Sequence, residues 1–274
     1  MDTRFWGPSG WRLLHSVAFQ APTLKKEEVH TFFENLPYVL PCKYCRASLS
    51  EYIASDPIPT DLNEYAPWLY RIHNRVNGKL REQKLLVTKD PSWTDVKNHY
   101  TALLSKPCTE NTMLGWDFLY SVAYTTPCPS VISSPMPDAP PNPQTPELRN
   151  RWGTMTREER VPYLEAWWNT LPHILPFKRW RDAWKSLPTR PHTKEGRGDL
   201  TRWLYKAEQH VCKSLKNSTP HTNYFQVCKE LNTFSSNCGK QKVKIKTCRT
   251  SKKQARNTLK VRRGSTYKLT GGFL

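Results

Sequence analysis

Apolar residues recur at helical spacing over most of the chain. WRLLHSVAF (11–19), VHTFFENLPYVL (29–40), CKYCRASLSEYI (42–53), LNEYAPWLYRIHNRVNGKL (62–80) and PSWTDVKNHYTALL (91–104) each read as a helix. Leu69, Ile72, Val76 and Leu80 show the pattern at its plainest, forming one apolar stripe at i, i+3, i+7 and i+11. Pro37, Pro41 and Pro57 are expected at breaks or first turns. Val and Ile occur singly and nowhere alternate over the length of a strand, so the pattern predicts an all-α fold. After a stretch crowded with proline and serine (125–147), expected as a linker or extended excursion, helical spacing resumes. The later segments are REERVPYLEAWWNTLPHIL (157–175), FKRWRDAWKSL (177–187), DLTRWLYKAEQHVCKSL (199–215) and TNYFQVCKELNTF (222–234).

The later segments repeat the earlier ones. LPYVLPCKYC (36–45) lies over LPHILPFKRW (171–180), and the same register sets Phe32 and Phe33 on Trp167 and Trp168. Carried forward without a gap, it sets PWLYRIHNRVNGKL (67–80) on RWLYKAEQHVCKSL (202–215). Upstream, GWRLLHSVAF (10–19) matches GWDFLYSVAY (115–124), and the proline-rich stretch accounts for the change of register. The apolar stripe survives as Leu204, Ala207, Val211 and Leu215. The polar and sulfur positions do not: Cys42 and Cys45 become Phe177 and Trp180, His15 becomes Tyr120, His73 becomes Glu208 and Asn77 becomes Cys212. This is the pattern of a copy that kept its packing and lost its chemistry.

Charge and cysteine content narrow the chemistry. The formal net charge is +19, and residues 239–274 carry many Lys and Arg and no Asp or Glu. Such an arm is expected to be solvated and able to bind polyanions. Eight cysteines accompany a start, MDTRFWGPSG, with neither the basic leader nor the apolar run of a secretory signal. No apolar run approaches the roughly 20 residues that cross a bilayer, so a cytosol-like compartment is expected. Structural disulfides are uncommon there, and a structural zinc would need a second close pair of ligands beside Cys42 and Cys45. A redox-active CxxC is the better reading, and no metal is expected. At a helix start the first sulfur meets unpaired N–H groups and the positive end of the dipole. Lys43 and Arg46 add charge of the same sign, which favours thiolate over thiol.

Three motifs stand in order: WGPSGWRLLH (6–15), with Trp11 and His15 four apart; CKYC (42–45); and HNRVNGK (73–79). Together they resemble the ERV/ALR family of FAD-dependent sulfhydryl oxidases, in the minimal form found in large DNA viruses. The resemblance covers roughly residues 5–105. It implies a four-to-five-helix bundle binding FAD, here followed by a degenerate bundle of the same type. The implied divisions are an oxidase domain at 1–108, a degenerate domain at 109–238 and the basic tail at 239–274. It further implies Cys42 and Cys45 as the catalytic pair, with Cys45 against the flavin and Cys42 exchanging with the incoming dithiol. Gly7, Pro8, Trp11, His15, His73, Asn74, Val76, Asn77 and Lys79 would surround FAD. Electrons would pass to oxygen, giving hydrogen peroxide, with protein dithiols as substrates, directly or through a thioredoxin- or glutaredoxin-like relay.

Two features depart from the family. The cysteine pair that cellular members carry after the HNxVNxK segment is missing from REQKLLVTKDPSW (81–93), and no obvious shuttle pair exists. Cys108 with Cys128, or Cys238 with Cys248, could serve, as structural or free thiols equally could. Family domains pair through their first helices, so the second copy is expected to take the partner's place in an internal pseudo-dimer, the alternative being a homodimer. Host cytoplasm, virus factory or virion is the expected location. The competing function is a nucleic-acid- or membrane-surface-binding structural protein in which the basic tail works and the CxxC is structural.

Overall fold

The computed structural model describes residues 1–83, 88–126, 135–191, 193 and 196–235. Among them are eleven α-helices and no strand, so the all-α expectation holds. In chain order these are α1 (Thr3–Gln20), α2 (Lys26–Val39), α3 (Lys43–Ser55), α4 (Tyr65–Glu82), α5 (Trp93–Ser105), α6 (Trp116–Tyr124), α7 (Pro146–Trp152), α8 (Arg157–Ile174), α9 (Lys178–Lys185), α10 (Arg197–Ser214) and α11 (Tyr224–Thr233). Cys128, Cys238, Cys248 and the basic tail lie outside the described residues.

Local chemistry sets several boundaries. The Asp2 carboxylate caps α1 by accepting from the Arg4 N–H. Ser92 with Asp95, and Thr156 with Glu159, form capping boxes that open α5 and α8. Pro41 and Pro57 lie outside helices, but Pro37 sits within α2 and its aligned partner Pro172 within α8. Both are in the final turn, where the ring removes one N–H bond to the turn before and the helix ends two residues later.

The aligned helices meet one another. Among the described residues the most extensive packing is α2 on α8, and α1 packs on α6. Phe32 and Trp167, aligned in the repeat, stack with centroids 5.2 Å apart and planes 22° from parallel. A Cβ at Gly10 would lie 3.1 Å from Phe118 Cδ2, and one at Gly115 only 2.7 Å from Leu13 Cδ2. Gly10 aligns with Gly115 and Leu13 with Phe118, so the contact is reciprocal, the form of an isologous interface. Phe32, Phe33, Trp68, Trp167, Trp168 and Trp180 are fully buried in one apolar cluster fed by both halves.

The correspondence extends to single hydrogen bonds. The Trp68 indole donates to Asp56 O (2.9 Å) and that of Trp203 to Thr189 O (3.1 Å). The Tyr70 hydroxyl donates to Pro91 O, two residues before α5, and that of Tyr205 to Thr222 O, two before α11. In this register α1 to α5 correspond to α6, α8, α9, α10 and α11. The remaining helix, α7, begins at the end of the proline-rich stretch, which therefore does more than link: it delivers α7 onto α3.

Candidate redox site

Helices α1, α3 and α4 enclose a cavity of about 410 Å³, within the usual range of about 300–1,000 Å³ for ligand pockets. Its walls are mostly apolar, from Leu14, Leu49, Leu69 and Ile72 among others. Cys42 and Cys45 both line it. Cys42 is the N-cap residue of α3, with extended backbone, and no side chain caps the helix. The first turn of α3 thus offers its N–H groups and positive dipole end at the sulfur pair. Cys42 is only 7% exposed and is more buried than Cys45. A role in meeting an incoming dithiol therefore requires the α2–α3 corner to admit it.

The other motif residues come from α1 and α4, which pack side by side. Trp11 stacks on His73 with centroids 3.7 Å apart and planes 10° from parallel. Behind His73, His15 Nε2 and His73 Nδ1 share a hydrogen bond of 3.0 Å, and His15 is closed in by the ring of Tyr100. Burial, with the neighbouring cation of His99, pushes His15 down to about 3. Burial, with His15 beside it, likewise holds His73 well below the ordinary histidine range. Both rings are therefore neutral near pH 7, one nitrogen donating and the other accepting.

On the next turn of α4, the Asn77 amide donates to Asp90 Oδ1 (2.7 Å), and Arg81 holds the same carboxylate with two bonds. Lys79 donates to Ser48 Oγ on α3 across the cavity rim (2.7 Å). Gly7, Pro8, Trp11, His73, Val76, Asn77 and Lys79 all line the cavity. Of the eleven residues singled out from the sequence, His15 and Asn74 do not. His15 instead buttresses His73, and Asn74 keeps a buried Oδ1 that has no hydrogen-bond partner among the described residues. A Cβ at Gly7 would meet no atom within 4 Å, so that wall opens into the cavity.

Some site residues were missed. Asp90, which orients Asn77, follows a segment of mixed charge that gives no pattern. Tyr44, between the two cysteines and 42% exposed, lines the cavity mouth; its position inside the CxxC was the available signal.

At the aligned place in the second half the space is filled. Trp184 stands where Leu49 lies and stacks against Trp116, the counterpart of Trp11, at 6.0 Å. Phe177 and Trp180, in the cysteine positions, pack edge to face at 4.9 Å. The His15–His73 bond is replaced by Tyr120, whose hydroxyl donates to Glu208 Oε2 (2.6 Å). His221 bonds the other oxygen of that carboxylate (2.8 Å).

The Erv1/Alr family model matches residues 8–100, which contain the cysteine pair and most of the cavity wall. Over this part the chain is similar to the Erv1/Alr family. The mitochondrial FAD-linked sulfhydryl oxidase of Saccharomyces cerevisiae is 34% identical over 88 residues, covering 30% of this chain and 47% of that protein. A probable FAD-linked sulfhydryl oxidase of Acanthamoeba polyphaga mimivirus is 35% identical over 85 residues, covering 28% of this chain and 59% of the relative. The match thus spans about half the length of each relative. No solved structure matches the chain. The Erv1/Alr match ends before α6, and among the described residues no helix is long and apolar enough to cross a membrane.

Proposed function

We propose that the chain is an FAD-dependent thiol oxidase whose first half does the chemistry and whose second half is a degenerate copy serving as a built-in partner. The observation that carries the reading is one cavity walled by a helix-capping CxxC and a Trp11–His73 stack. Those residues fit FAD. Apolar walls and the stacked rings suit its ring systems, while Asn77 and Lys79 offer polar contacts. Bound there, FAD supplies a two-electron acceptor that returns the electrons to oxygen as hydrogen peroxide.

The chain's own part is thiol–disulfide exchange. A substrate thiolate attacks Cys42 of the Cys42–Cys45 disulfide, forming a mixed disulfide and releasing the Cys45 thiolate. The second substrate thiolate attacks the substrate sulfur of that bond, and Cys42 leaves as thiolate while the substrate departs as a disulfide. Two electrons have then entered the CxxC and two protons have left the substrate. The neutral His15–His73 pair fixes the ring stacked on Trp11 without placing charge in the cavity. Protein dithiols are the substrates, directly or through a thioredoxin-like relay, and a virus-factory or virion setting suits the mimiviral relative. The internal pseudo-dimer is supported by the reciprocal α1–α6 and α2–α8 packing, and the tryptophan-filled second site supports one flavin per chain. The acid-free basic tail suits a polyanion such as nucleic acid, which would localise the oxidase.

Replacing Cys45 with Ser tests the chemistry. Flavin should be retained while oxygen uptake with a dithiol falls to background; a variant that keeps its turnover refutes the assignment.

A further inference from the structure

The α2–α3 corner that carries Cys42 is held by side chains from the second half. Pro41 has no N–H, so the Pro37 carbonyl lacks its helical partner. Asn150 of α7, 3% exposed, donates to it (3.0 Å) and to Ser50 Oγ on α3 (3.0 Å). One residue on, the Tyr38 carbonyl accepts two bonds from Arg160 of α8, from Nε at 3.3 Å and Nη2 at 2.7 Å. Arg46, in the first turn of α3, donates to Leu40 O (2.8 Å), and its own backbone N–H bonds Cys42 O. Three carbonyls on the approach to the CxxC, those of Pro37, Tyr38 and Leu40, are therefore capped, two of them by guanidinium groups.

The two arginines differ in kind. Arg181, which aligns with Arg46, makes the same bond to Leu175 O (2.7 Å) in the half that has no cysteines, so the Arg46 clamp belongs to the fold. Arg160 aligns with Lys25, which is exposed at the start of α2. Its placement is one-sided, and it falls only on the corner that carries sulfur. Arg160 is buried, and among the described residues no carboxylate pairs with it. Burial and the neighbouring Arg46 both oppose its charge, yet arginine keeps its proton in proteins. A buried cation without a counter-ion is costly, and the fold retains it on the α2–α3 corner, bonded to the carbonyl four residues before Cys42 and close to Arg46, whose backbone N–H bonds Cys42 O.

We propose that Arg160 is a positioning residue supplied by the second half: its cation, held against Tyr38 O, stabilises the reduced, thiolate form of the Cys42–Cys45 pair and so raises the pair's reduction potential. The degenerate copy then tunes the redox chemistry of the active one as well as filling a partner's place. This rests on the thiol-oxidase reading above.

The test is the reduction potential of the pair in the full-length protein. Chains are equilibrated without oxygen in dithiothreitol buffers of graded thiol-to-disulfide ratio, quenched in acid, alkylated and read by mass spectrometry; trypsin separates Cys42 from Cys45 at Lys43. Arg160→Gln, which keeps a donor for Tyr38 O but no charge, should make reduction roughly tenfold less favourable, a shift of about 30 mV to lower potential. Arg160→Lys should hold the wild-type potential, and Asn150→Ala, which removes an uncharged cap, should hold it too. Should the glutamine chain not fold, Arg160→Met removes the charge without burying a polar group and gives the same comparison. An unchanged potential in a folded neutral variant overturns the proposal, as does a lysine variant that shifts as far as the neutral one. A wild-type chain in which Cys42 and Cys45 never join would instead sink the oxidase reading itself.

Discussion

Phe32 of α2 lies face to face with Trp167 of α8, and the two occupy the same position in the two repeats. A residue that meets its own counterpart marks the axis of a two-fold arrangement. Both side chains are fully buried, so Phe32→Ala and Trp167→Ala should each cost about 3–5 kcal/mol by urea denaturation. The double variant should lose less than the sum, because the two truncations share one contact. Fully additive losses would show that the stack does not couple the halves.

Gly115 has φ +98°, and any Cβ there would press on Leu13. Gly115→Ala should therefore lower stability by about 1–3 kcal/mol through backbone strain and overlap. Its counterpart Gly10 is in ordinary helical backbone and faces Phe118 at 3.1 Å, a gap small shifts can relieve. Gly10→Ala should cost less, and thermal melts of the two variants rank them.

Trp11 and Trp116 are aligned, but Trp11 lines the cavity whereas Trp116 stacks on Trp184. Trp11→Ala should abolish or sharply reduce the flavin that co-purifies. Trp116→Ala should leave flavin content intact and lower stability, since it removes packing against Trp184. Flavin-to-protein absorbance ratios separate the two outcomes.

The histidines give the protein a pH profile with two opposing limbs. His15, held down to about 3 by burial, has a folded value below its unfolded one of about 6.5. Stability is therefore lost as pH falls below about 6.5, continuing towards 3 at up to about 1.4 kcal/mol per unit. His221 behaves oppositely: burial alone would lower it, but the bonds to Glu208 raise it overall. Its contribution is full below about pH 6.5 and fades as pH rises through the raised folded value. Urea midpoints measured across pH should show His15→Asn flattening the acid loss. The deficit of His221→Gln should shrink towards alkaline pH.

The fold was legible because packing positions recur: the stripe Leu69, Ile72, Val76, Leu80 and its later copy fix the same helix twice. Gly7, Trp11, the CxxC and HNRVNGK were legible as a site through the family resemblance; their spacing alone gives helices and does not say which of them face one another. Local sequence could not reveal Arg160 and Asn150, whose targets are backbone carbonyls more than a hundred residues earlier. A carbonyl has no sequence signature, and only Pro41, by lacking an N–H, hinted that one would need a partner. Nor could α7 be read from a proline-rich stretch, since α3 supplies the surface on which it docks.

The most direct test is the visible spectrum of the purified protein with its flavin-to-chain ratio, recorded before and after adding a dithiol in air while oxygen is followed. About one flavin per chain is expected, bleached by the dithiol and restored as oxygen is consumed. A colourless protein that cannot be reconstituted with FAD would contradict the oxidase, and two flavins per chain would contradict the silence of the second half.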